Sequence, residues 1–538
     1  MHLTGKENTS FYIVLGLIAI TILYTHPFLR YPYDMFHHLI VMDDFYVKLH
    51  HPFHKMVGIW VNDVYTVVPV EEVKTIALGR PRYIWHYSWA ELFHLLNIDS
   101  TQLLLRAKII HVIQTSVSLF CLYYFSKVVL RNIFKNIETM TLKYLSLWST
   151  FIWLTIFATA SGTYHQVWMM WYSINYQIAL PLFWYMTALT LVLLLEETSV
   201  WKKLFFIAQI LLLSRIILQI HSMEFLYYLM YMAIFGIIYI DKVYLFIKKY
   251  FYLFIPIVLG IGYFIKNYQP EHSKIFEYLS WEKLPALYEK IMYSGAILLG
   301  GYNRAFASIN ELMYVIAIIS IPFIFYILFL SYYKKQHTIN VRMLLFIGLT
   351  SLFVLIPLYQ FSGGLFGMIT HTMVVNRLYY SASLFVVLPI IGYYFAQNYQ
   401  IKLRYIHLLL ALILVLVYFF SKNSTMVNHN YYKNIQSIKN SFYERRVGFN
   451  LSQEQINTVG KLIKTYEQNN HTGKEIKFYA RADIAFVIKY IYHKNVYWKG
   501  RRLDPDYIKN YEKSKNNQKQ NNILFKIPKG FPTYSPYS

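Results

Sequence analysis

The chain has little of what a soluble metalloenzyme or redox enzyme uses. It contains a single cysteine, Cys121, inside an apolar run, which excludes a disulfide framework and a cysteine-based metal site. Only 14% of its 538 residues are charged, and 27 Asp and Glu stand against 51 Lys and Arg. The sequence has no HExxH motif and no nucleic-acid-binding motif. The net charge of +24 therefore needs a source other than a nucleic-acid partner.

Apolar residues are what the chain has in excess, since 56% of its residues are hydrophobic and 19% are aromatic. This composition is typical of a membrane protein. A bilayer core takes about 20 apolar residues per helix, and the first such run is expected to be a retained helix and not a cleaved signal. The pattern predicts an α-helical polytopic protein with about eleven transmembrane helices, at about 11–29, 107–130, 143–161, 176–195, 203–221, 223–240, 250–266, 312–331, 343–360, 378–396 and 404–421.

The cations explain the charge and predict the orientation. The short loops after the second, fourth, sixth, eighth and tenth predicted helices are basic. The short loops that alternate with them contain one Lys or Arg side chain in total, Arg377. By the positive-inside rule the N-terminus is cytoplasmic and the C-terminus is outside. We expect a multi-pass protein of the plasma (inner) membrane, and the abundance of Lys, Asn and Tyr indicates an AT-rich bacterial genome. The basic loops carry Arg131, Lys135, Lys143, Lys202, Lys203, Lys242, Lys248, Lys249, Lys334, Lys335, Arg342, Lys402 and Arg404.

The domain organisation follows from these spans. Residues 1–421 are predicted to form the transmembrane domain, with a long first outer loop at 30–105 and a second large outer loop at 267–311. Residues 422–538 are less apolar, and Ser452 and Gln455 have the spacing of a helix capping box. The stretches "IKFYA", "ADIAFVIKYIYHK" and "NVYW" that follow predict strand, helix and strand. This part is predicted to be a small extracytoplasmic α/β domain.

Carboxylates follow directly on the first predicted helix, in "RYPYDMFHHLIVMDDFY" (30–46). Asp34 comes about five residues after that helix, where a general base could serve a membrane-anchored substrate. The alternative is a solvated carboxylate that caps an interfacial helix. Asp43 and Asp44 stay open as the catalytic carboxylate, and His37 is a candidate substrate ligand.

Arginines are the candidate phosphate ligands, because the guanidinium group stays charged and binds phosphate oxygens in a bidentate manner. On the predicted outer side these are Arg377, Arg304, Arg80 and Arg82, and each could instead be a lipid-facing anchor. Arg215 falls inside the fifth predicted helix, where an arginine marks either an ion pair or a water-filled substrate cavity.

Other polar side chains extend the candidate site. Glu224, just beyond the fifth predicted helix, is a candidate lining residue. His50 and His54 have the i, i+4 spacing that can chelate a divalent metal in a helix. The simpler interpretation is that these are interfacial histidines that bind no metal. A divalent-metal cofactor is the alternative.

Two patterns carry a family resemblance. "VVNRLYYSASLFVVLPI" (374–390) looks like the arginine-aromatic stretch before a proline in a late helix of the arabinosyl- and mannosyl-transferring members of the GT-C superfamily. "ADIAFVIKYIYHKNVYW" looks like part of their outer domain. Together with the predicted topology, the chain resembles this superfamily of polytopic membrane glycosyltransferases. The family often has an adjacent acidic pair at the catalytic position, whereas Asp34 stands alone and Asp43–Asp44 comes nine residues later.

The resemblance implies an enzyme with Asp34 as its base. It would move a sugar from a polyprenyl-phosphate-linked donor to an outer-face acceptor, such as a lipid-linked glycan or another cell-envelope component. The partners would be this donor, this acceptor and membrane lipid. The alternatives are an envelope polysaccharide polymerase or ligase that relies on the loop at 267–311, a lipid or glycan transporter, and a non-catalytic envelope scaffold. Gly/Pro-interrupted helices at matching positions of two halves, typical of transporters, are not seen in the sequence.

Overall fold

A computed structural model gives the fold of the chain. It describes residues 56–61, 64–69, 83–98, 103–153, 175–220, 222–249, 285–292, 311–334, 338–369, 381–398, 453–469, 476–480, 496–498 and 522–524, and single positions elsewhere that include Gly16, Met42, Phe45, Tyr46 and Leu378.

Helices make up most of the described chain. They are α1 (Tyr83–Leu95), α2 (Leu103–Ile133), α3 (Thr139–Ile152), α4 (Asn175–Leu195), α5 (Val200–Ile220), α6 (Ser222–Ile238), α7 (Ile240–Lys249), α8 (285–292), α9 (Glu311–Tyr333), α10 (Val341–Ser351), α11 (Gln360–Ile369), α12 (Leu384–Asn398) and α13 (Gln453–Gln468). The strands are β1 (Met56–Val61), β2 (Val64–Pro69), β3 (Lys477–Ala480), β4 (Val496–Trp498) and β5 (Asn522–Leu524).

The long helices are those of a helical membrane protein. Four of them, α2, α4, α5 and α9, contain stretches long and apolar enough to cross a bilayer. The count rises to six if two bent pairs, α6 with α7 and α10 with α11, each form one span. Three of the eleven predicted spans, at about 11–29, 250–266 and 404–421, lie outside the described residues apart from Gly16. The number eleven therefore stays a prediction.

Aromatic packing joins the helices of the bundle. Trp184 of α4 is fully buried, and its ring lies 4.6 Å from Phe125 of α2, 5.5 Å from Tyr231 of α6 and 5.1 Å from Phe385 of α12. Aromatic side chains each bury a large area and make favourable edge-to-face contacts. This one tryptophan therefore contributes to the contact of four helices.

The basic connections of the sequence meet at one end of the bundle. Arg131, near the end of α2, forms an ion pair with Glu196 directly after α4. Asp241, in α7, pairs with Arg342 of α10 at 2.7 Å. The Arg342 guanidinium holds the pKa of the Asp241 carboxyl below its usual range. Two pairs of connections are thus linked by charge.

The backbone links the remaining connections at this end. Phe134, just after α2, forms an antiparallel bridge with Ile339, just before α10. The Phe134 ring also lies 4.8 Å from Tyr393 near the end of α12. The described parts of the loops after the second, fourth, sixth and eighth predicted helices therefore share one end, and α12 comes close to this end at Tyr393. Which side of the membrane this end faces stays a prediction.

Two of the predicted spans differ from the helices observed. The predicted helix 343–360 is α10, begun by Asn340, whose side chain accepts a hydrogen bond from the Met343 amide (3.3 Å). It changes to a 3-10 helix at Leu352–Leu358, which contains Pro357, and α11 then turns by 91°. Proline removes a backbone donor and ends regular helix geometry. The predicted helix 378–396 starts later, at Leu384.

The predicted outer regions contain strands. β1 and β2 form an antiparallel hairpin in the predicted first outer loop, with Val61 paired to Val64. This hairpin was not predicted. Its signal in the sequence is the β-branched and aromatic run "MVGIWVNDVYTVVP" around a two-residue turn.

Towards the end of the chain, α13 precedes a three-stranded parallel sheet of order β4-β3-β5. β3 and β4 fall where the sequence predicts strands, and β5 was not predicted. Residues 422–538 as one outer domain remain a proposal.

Candidate functional site

Most of the predicted site residues fall outside the described residues. This group contains the three candidate carboxylates, the phosphate-binding candidates and the candidate metal ligands, namely Asp34, His37, Asp43, Asp44, His50, His54, Arg80, Arg82, Arg304 and Arg377. Their roles therefore stay predictions. Arg215 and Glu224 are described, as are direct neighbours of Asp44 and Arg377 in the chain.

Arg215 lies close to the end of its helix. It comes five residues before Ile220, the last residue of α5, which corresponds to about 8 Å along the axis. Its side chain is exposed and shares a helix face with Leu211 and Leu212, which are 54% and 61% exposed. The predicted helix, 203–221, has its centre closer to Arg215 than the observed helix, Val200–Ile220. The sequence therefore placed Arg215 nearer the membrane midplane. Its role as a cavity residue stays a prediction.

Glu224 is buried, with 6% of its surface exposed, and it lies in the first turn of α6. A carboxylate at this position interacts favourably with the positive end of the helix dipole. Gln219, near the end of α5, is also buried. A buried carboxylate in the first turn of a helix can be purely structural. The position of Glu224 fits that role at least as well as it fits the predicted role of lining a substrate site.

The predicted first outer loop is attached to α1 and α2 through the residues that follow Asp43 and Asp44. Phe45 is helical and 2% exposed, and its ring stacks on His86 of α1 at 6.5 Å. Tyr46 meets His94 of α1 edge-on at 6.1 Å. In the sequence, Phe45 directly follows the acidic pair. Asp43 and Asp44 thus directly precede, in the chain, a residue that is packed against α1.

Arg106 is the cation that holds these parts together, and the sequence analysis missed it. It is fully buried near the start of α2, and its guanidinium carbon lies 3.9 Å from the Tyr46 ring centre and 5.5 Å from that of Phe93. Its Nε and Nη2 donate to the Ile98 carbonyl at 3.1 and 2.6 Å. Cation–π contacts strengthen when the cation is removed from water. The signal was an arginine inside an apolar helix start, "LLLRAKII".

Buried polar side chains also join α1 to α2. The Trp85 Nε1 donates to Gln114 Oε1 at 2.5 Å, and the His86 ring meets Trp85 edge-on at 5.0 Å. Burial, with a further contribution from Glu91, raises the pKa of Tyr87 to about 12. Tyr87 therefore remains a hydrogen-bond donor at neutral pH. The start of α2 and the helix α1 form a polar, aromatic layer at one end of the bundle.

A second candidate region directly follows Arg377 in the chain. Leu378, Ser381, Ala382 and Ser383 lack α-helical structure, yet all four are fully buried. Non-helical backbone at membrane depth is tolerated where it is buried in protein or lines a water-filled cavity. Such backbone is characteristic of functional regions in membrane proteins.

Hydroxyl groups fix this irregular stretch against two other helices. The Ser383 hydroxyl lies 2.7 Å from the Thr350 hydroxyl and 3.1 Å from that of Ser351, where α10 ends. The Tyr231 hydroxyl of α6 donates to the Ser381 carbonyl. The end of α10 and the residues before α12 thus meet at one hydroxyl-rich junction. We name the residues Tyr231, Thr350, Ser351, Leu378, Ser381, Ala382 and Ser383 the serine junction.

The serine junction also has a connection to the predicted second large outer loop. The 3-10 helix leads from Ser351 into α11, where Gln360 donates to the Met292 carbonyl at the end of α8 (2.8 Å). The rings of Tyr288 and Phe361 lie 6.1 Å apart. The predicted loop 267–311, which contains Arg304, is therefore attached to α11 through its described part.

These two regions define what the described residues can do. The region around Arg106 positions the chain after the acidic pair, and the serine junction positions the chain after Arg377. Across the ranges that the structure describes, no three His, Cys, Asp or Glu side chains come together as a metal site would require. The possible metal ligands His50 and His54 lie beyond these ranges.

Comparisons with known proteins give similarity only at low identity. No protein-family model matches the chain, and no curated protein matches it. The crystal structure of the Archaeoglobus fulgidus oligosaccharyltransferase with zinc and sulfate is similar at 10% identity and a TM-score of 0.48, over 90% of this chain and 62% of that chain. The archaeal oligosaccharyltransferase AglB of Archaeoglobus fulgidus, in complex with an inhibitory peptide and a dolichol-phosphate, gives 10% identity and a TM-score of 0.40, over 90% and 64%.

The chain spans less than two thirds of the length of either of these proteins. Both TM-scores lie below 0.5, so neither fold nor function is inferred from these structures.

Proposed function

We propose that the protein is a membrane glycosyltransferase that moves a sugar from a polyprenyl-phosphate donor to an acceptor on the outer face of the membrane. The acceptor would be a lipid-linked glycan or another envelope component. The proposal rests on the order of chemical groups along the chain, with carboxylates after the first predicted helix and an arginine before a late helix. A carboxylate base and a phosphate-binding arginine are what this transfer needs.

The observation that carries the proposal is the serine junction. Its described residues before α12 are buried without α-helical structure, begin directly after Arg377 in the chain and meet the end of α10. An arginine beside such a stretch could bind a lipid-linked phosphate below the headgroup level, where a bidentate guanidinium is more effective than an ammonium group. Loss of the phosphate leaving group would be assisted by this charge, and the base would accept the proton of the acceptor hydroxyl.

The carboxylate has two candidate positions. Asp34 stands alone near the first predicted helix, whereas Asp43 and Asp44 precede Phe45, which packs on His86. A base must be held within hydrogen-bond reach of its proton, so the packed neighbour strengthens the case for the pair. Both candidates stay in the proposal, with Asp34 as the base that the family resemblance implies.

The first test separates these carboxylates. Asp34→Asn, Asp43→Asn and Asp44→Asn each keep the side-chain size and remove the proton acceptor. Turnover with radiolabelled polyprenyl-phosphate sugars in proteoliposomes should fall about 100-fold or more in the variant that has lost the base. The other two substitutions should have milder effects. If all three variants keep full turnover, the catalytic role of this loop is wrong.

The second test concerns the phosphate. Arg377→Lys keeps the charge and loses the guanidinium fork, so binding of a polyprenyl monophosphate in nanodiscs should weaken about tenfold, equal to about 1.4 kcal/mol. Arg131→Lys, at the opposite predicted side, is the matched control and should leave binding unchanged. Unaltered binding in Arg377→Ala would show that Arg377 is only an anchor.

The rival functions give different results in the same assays. A polymerase or ligase would depend on Arg304 and would retain turnover of its own glycan substrate without a polyprenyl monophosphosugar. A transporter would move labelled lipid from one leaflet of the proteoliposome bilayer to the other without hydrolysing or transferring the sugar. A scaffold would show neither activity.

A further inference from the structure

The helix α7 (Ile240–Lys249) differs in direction from the helix before it. It forms an angle of 98° with the preceding helix segment Met223–Ile238. If α6 crosses the membrane, a helix at this angle runs along the membrane surface. Its ten residues then lie at one depth instead of spanning the bilayer.

The bend is held in place from both sides. Tyr239, 3% exposed, stacks on Phe235 at 4.7 Å, and its carbonyl accepts hydrogen bonds from the Lys242 and Val243 amides at 2.9 and 3.0 Å. The Asp241–Arg342 ion pair (2.7 Å) attaches the start of α7 to α10. The direction of α7 is therefore fixed by packing and charge.

Most residues of α7 are divided between two faces, although Leu245, 57% exposed, lies on the side of the lysines and Lys248 borders Tyr244. Ile240, Tyr244 and Ile247 follow the i, i+4, i+7 spacing of one helix face and are 69%, 62% and 41% exposed. Lys242 and Lys249 lie on the opposite face, seven residues apart, and are exposed. A helix with an apolar face and a lysine-rich face is typical of one that lies in a membrane interface.

The helix α7 contains three lysines and one acidic residue. Lys242, Lys248 and Lys249 are positive, and the one acidic residue of the helix, Asp241, is paired with Arg342. Lysines near an acidic leaflet each gain about 1 kcal/mol from the surface potential. The three lysines point to anionic lipid headgroups as the partner of this face.

We propose that α7 lies flat in the membrane boundary, with Ile240, Tyr244 and Ile247 among lipid chains and Lys242, Lys248 and Lys249 on acidic phospholipid headgroups of the same leaflet. This is independent of the glycosyltransferase proposal, because no residue of α7 belongs to the proposed substrate site. By the positive-inside rule that leaflet is the cytoplasmic one.

The depth of the helix can be measured in the full chain. Cys121 is 2% exposed, so the parent protein should take up no spin label and serves as the control. Ile247→Cys and Lys242→Cys are each labelled and reconstituted in nanodiscs. We expect the label at 247 to be relaxed more by oxygen and the label at 242 more by a water-soluble nickel chelate. Equal relaxation of both sites by the nickel chelate would overturn the flat placement.

The lipid preference is tested by charge removal. Nanodiscs of phosphatidylcholine with spin-labelled phosphatidylglycerol report its association with the protein, which should weaken about fivefold for each lysine changed in Lys242→Gln, Lys248→Gln and Lys249→Gln. Lys461→Gln with Lys464→Gln, two exposed lysines of α13, is the control and should have no effect.

Two results would contradict the lipid proposal. One is an unchanged preference for phosphatidylglycerol in the triple variant. The other is full competition by millimolar glycerol phosphate, which would indicate a site for a free anion. If the triple variant fails to fold, the two single spin-label variants and the glycerol phosphate competition with the parent protein still decide the question.

Discussion

Arg106 shows at the scale of one residue how a buried cation can organise a loop. It is the only fully buried Arg or Lys side chain among the described residues, and it contacts Tyr46, Phe93 and the Ile98 carbonyl. An arginine there provides a flat cation for ring stacking and two N–H groups for one carbonyl. Lysine cannot reproduce both at once.

We therefore expect Arg106→Lys to lower the free energy of unfolding by about 1.5–3 kcal/mol, the scale of hydrogen bonds from charged groups. Thermal unfolding in detergent measures the change. Arg131→Lys is the matched control, since its half-exposed ion pair with Glu196 contributes less than about 1 kcal/mol. Equal effects of the two substitutions would show that Arg106 is not a structural centre.

The sequence could identify which residues are unusual, but not how they are surrounded. Arg215 was singled out because charge inside an apolar stretch is costly, and Glu224 because it follows the fifth predicted helix. Arg106 satisfies the same criterion, yet it lies at a predicted helix end, where a solvated arginine is ordinary. Its burial depends on Tyr46 and Phe93, which are distant in sequence and were not predicted to approach it.

At the scale of the element, hydroxyl groups join the place where α10 ends to the place where α12 begins. Ser383 contacts Thr350 and Ser351 and donates to the Ile347 carbonyl at 3.1 Å. Hydrogen bonds between membrane helices average about 0.6 kcal/mol. The junction is thus held by several weak bonds and not by one strong one.

A double-mutant cycle tests this joint. Thr350→Val and Ser383→Ala should each destabilise the protein, and the double variant should lose less than the sum, with a coupling of about 0.6 kcal/mol. Thr187→Val is the control, because Thr187 is equally buried but bonds the Phe183 carbonyl of its own helix at 2.9 Å. Strict additivity of the two changes would mean that the hydroxyl contact stabilises nothing.

Hydropathy located α2, α4, α5 and α9 well, because long uninterrupted apolar runs dominate there. It placed the start of α12 six residues too early and missed the 91° turn after the 3-10 helix. "SASLFVV" is apolar enough to be read as helix, and only contacts with α6 and α10 fix its irregular backbone. Tertiary contacts of this kind leave no period in the sequence.

At the scale of the whole molecule, the shared end of the basic connections gives a topology that can be tested. Reporters fused after Asn136 and Lys203 should score on the same side, predicted to be the cytoplasm, and a reporter after Lys422 should score outside. Alkaline phosphatase and green fluorescent protein fusions provide the paired measurement. A reporter at 422 that scores inside would require an even number of spans and remove a main support for the proposed function.

The described length of α12 bears on how the protein fits its bilayer. Its 15 residues give about 22 Å of helix, less than the hydrocarbon thickness of about 30 Å. The buried residues Leu378 and Ser381–Ser383 precede this helix in the chain, and we expect the bilayer beside them to thin or to let headgroups descend. The acyl-chain length of the surrounding lipid, and not only its charge, should then determine how easily a lipid phosphate comes to the level of the serine junction.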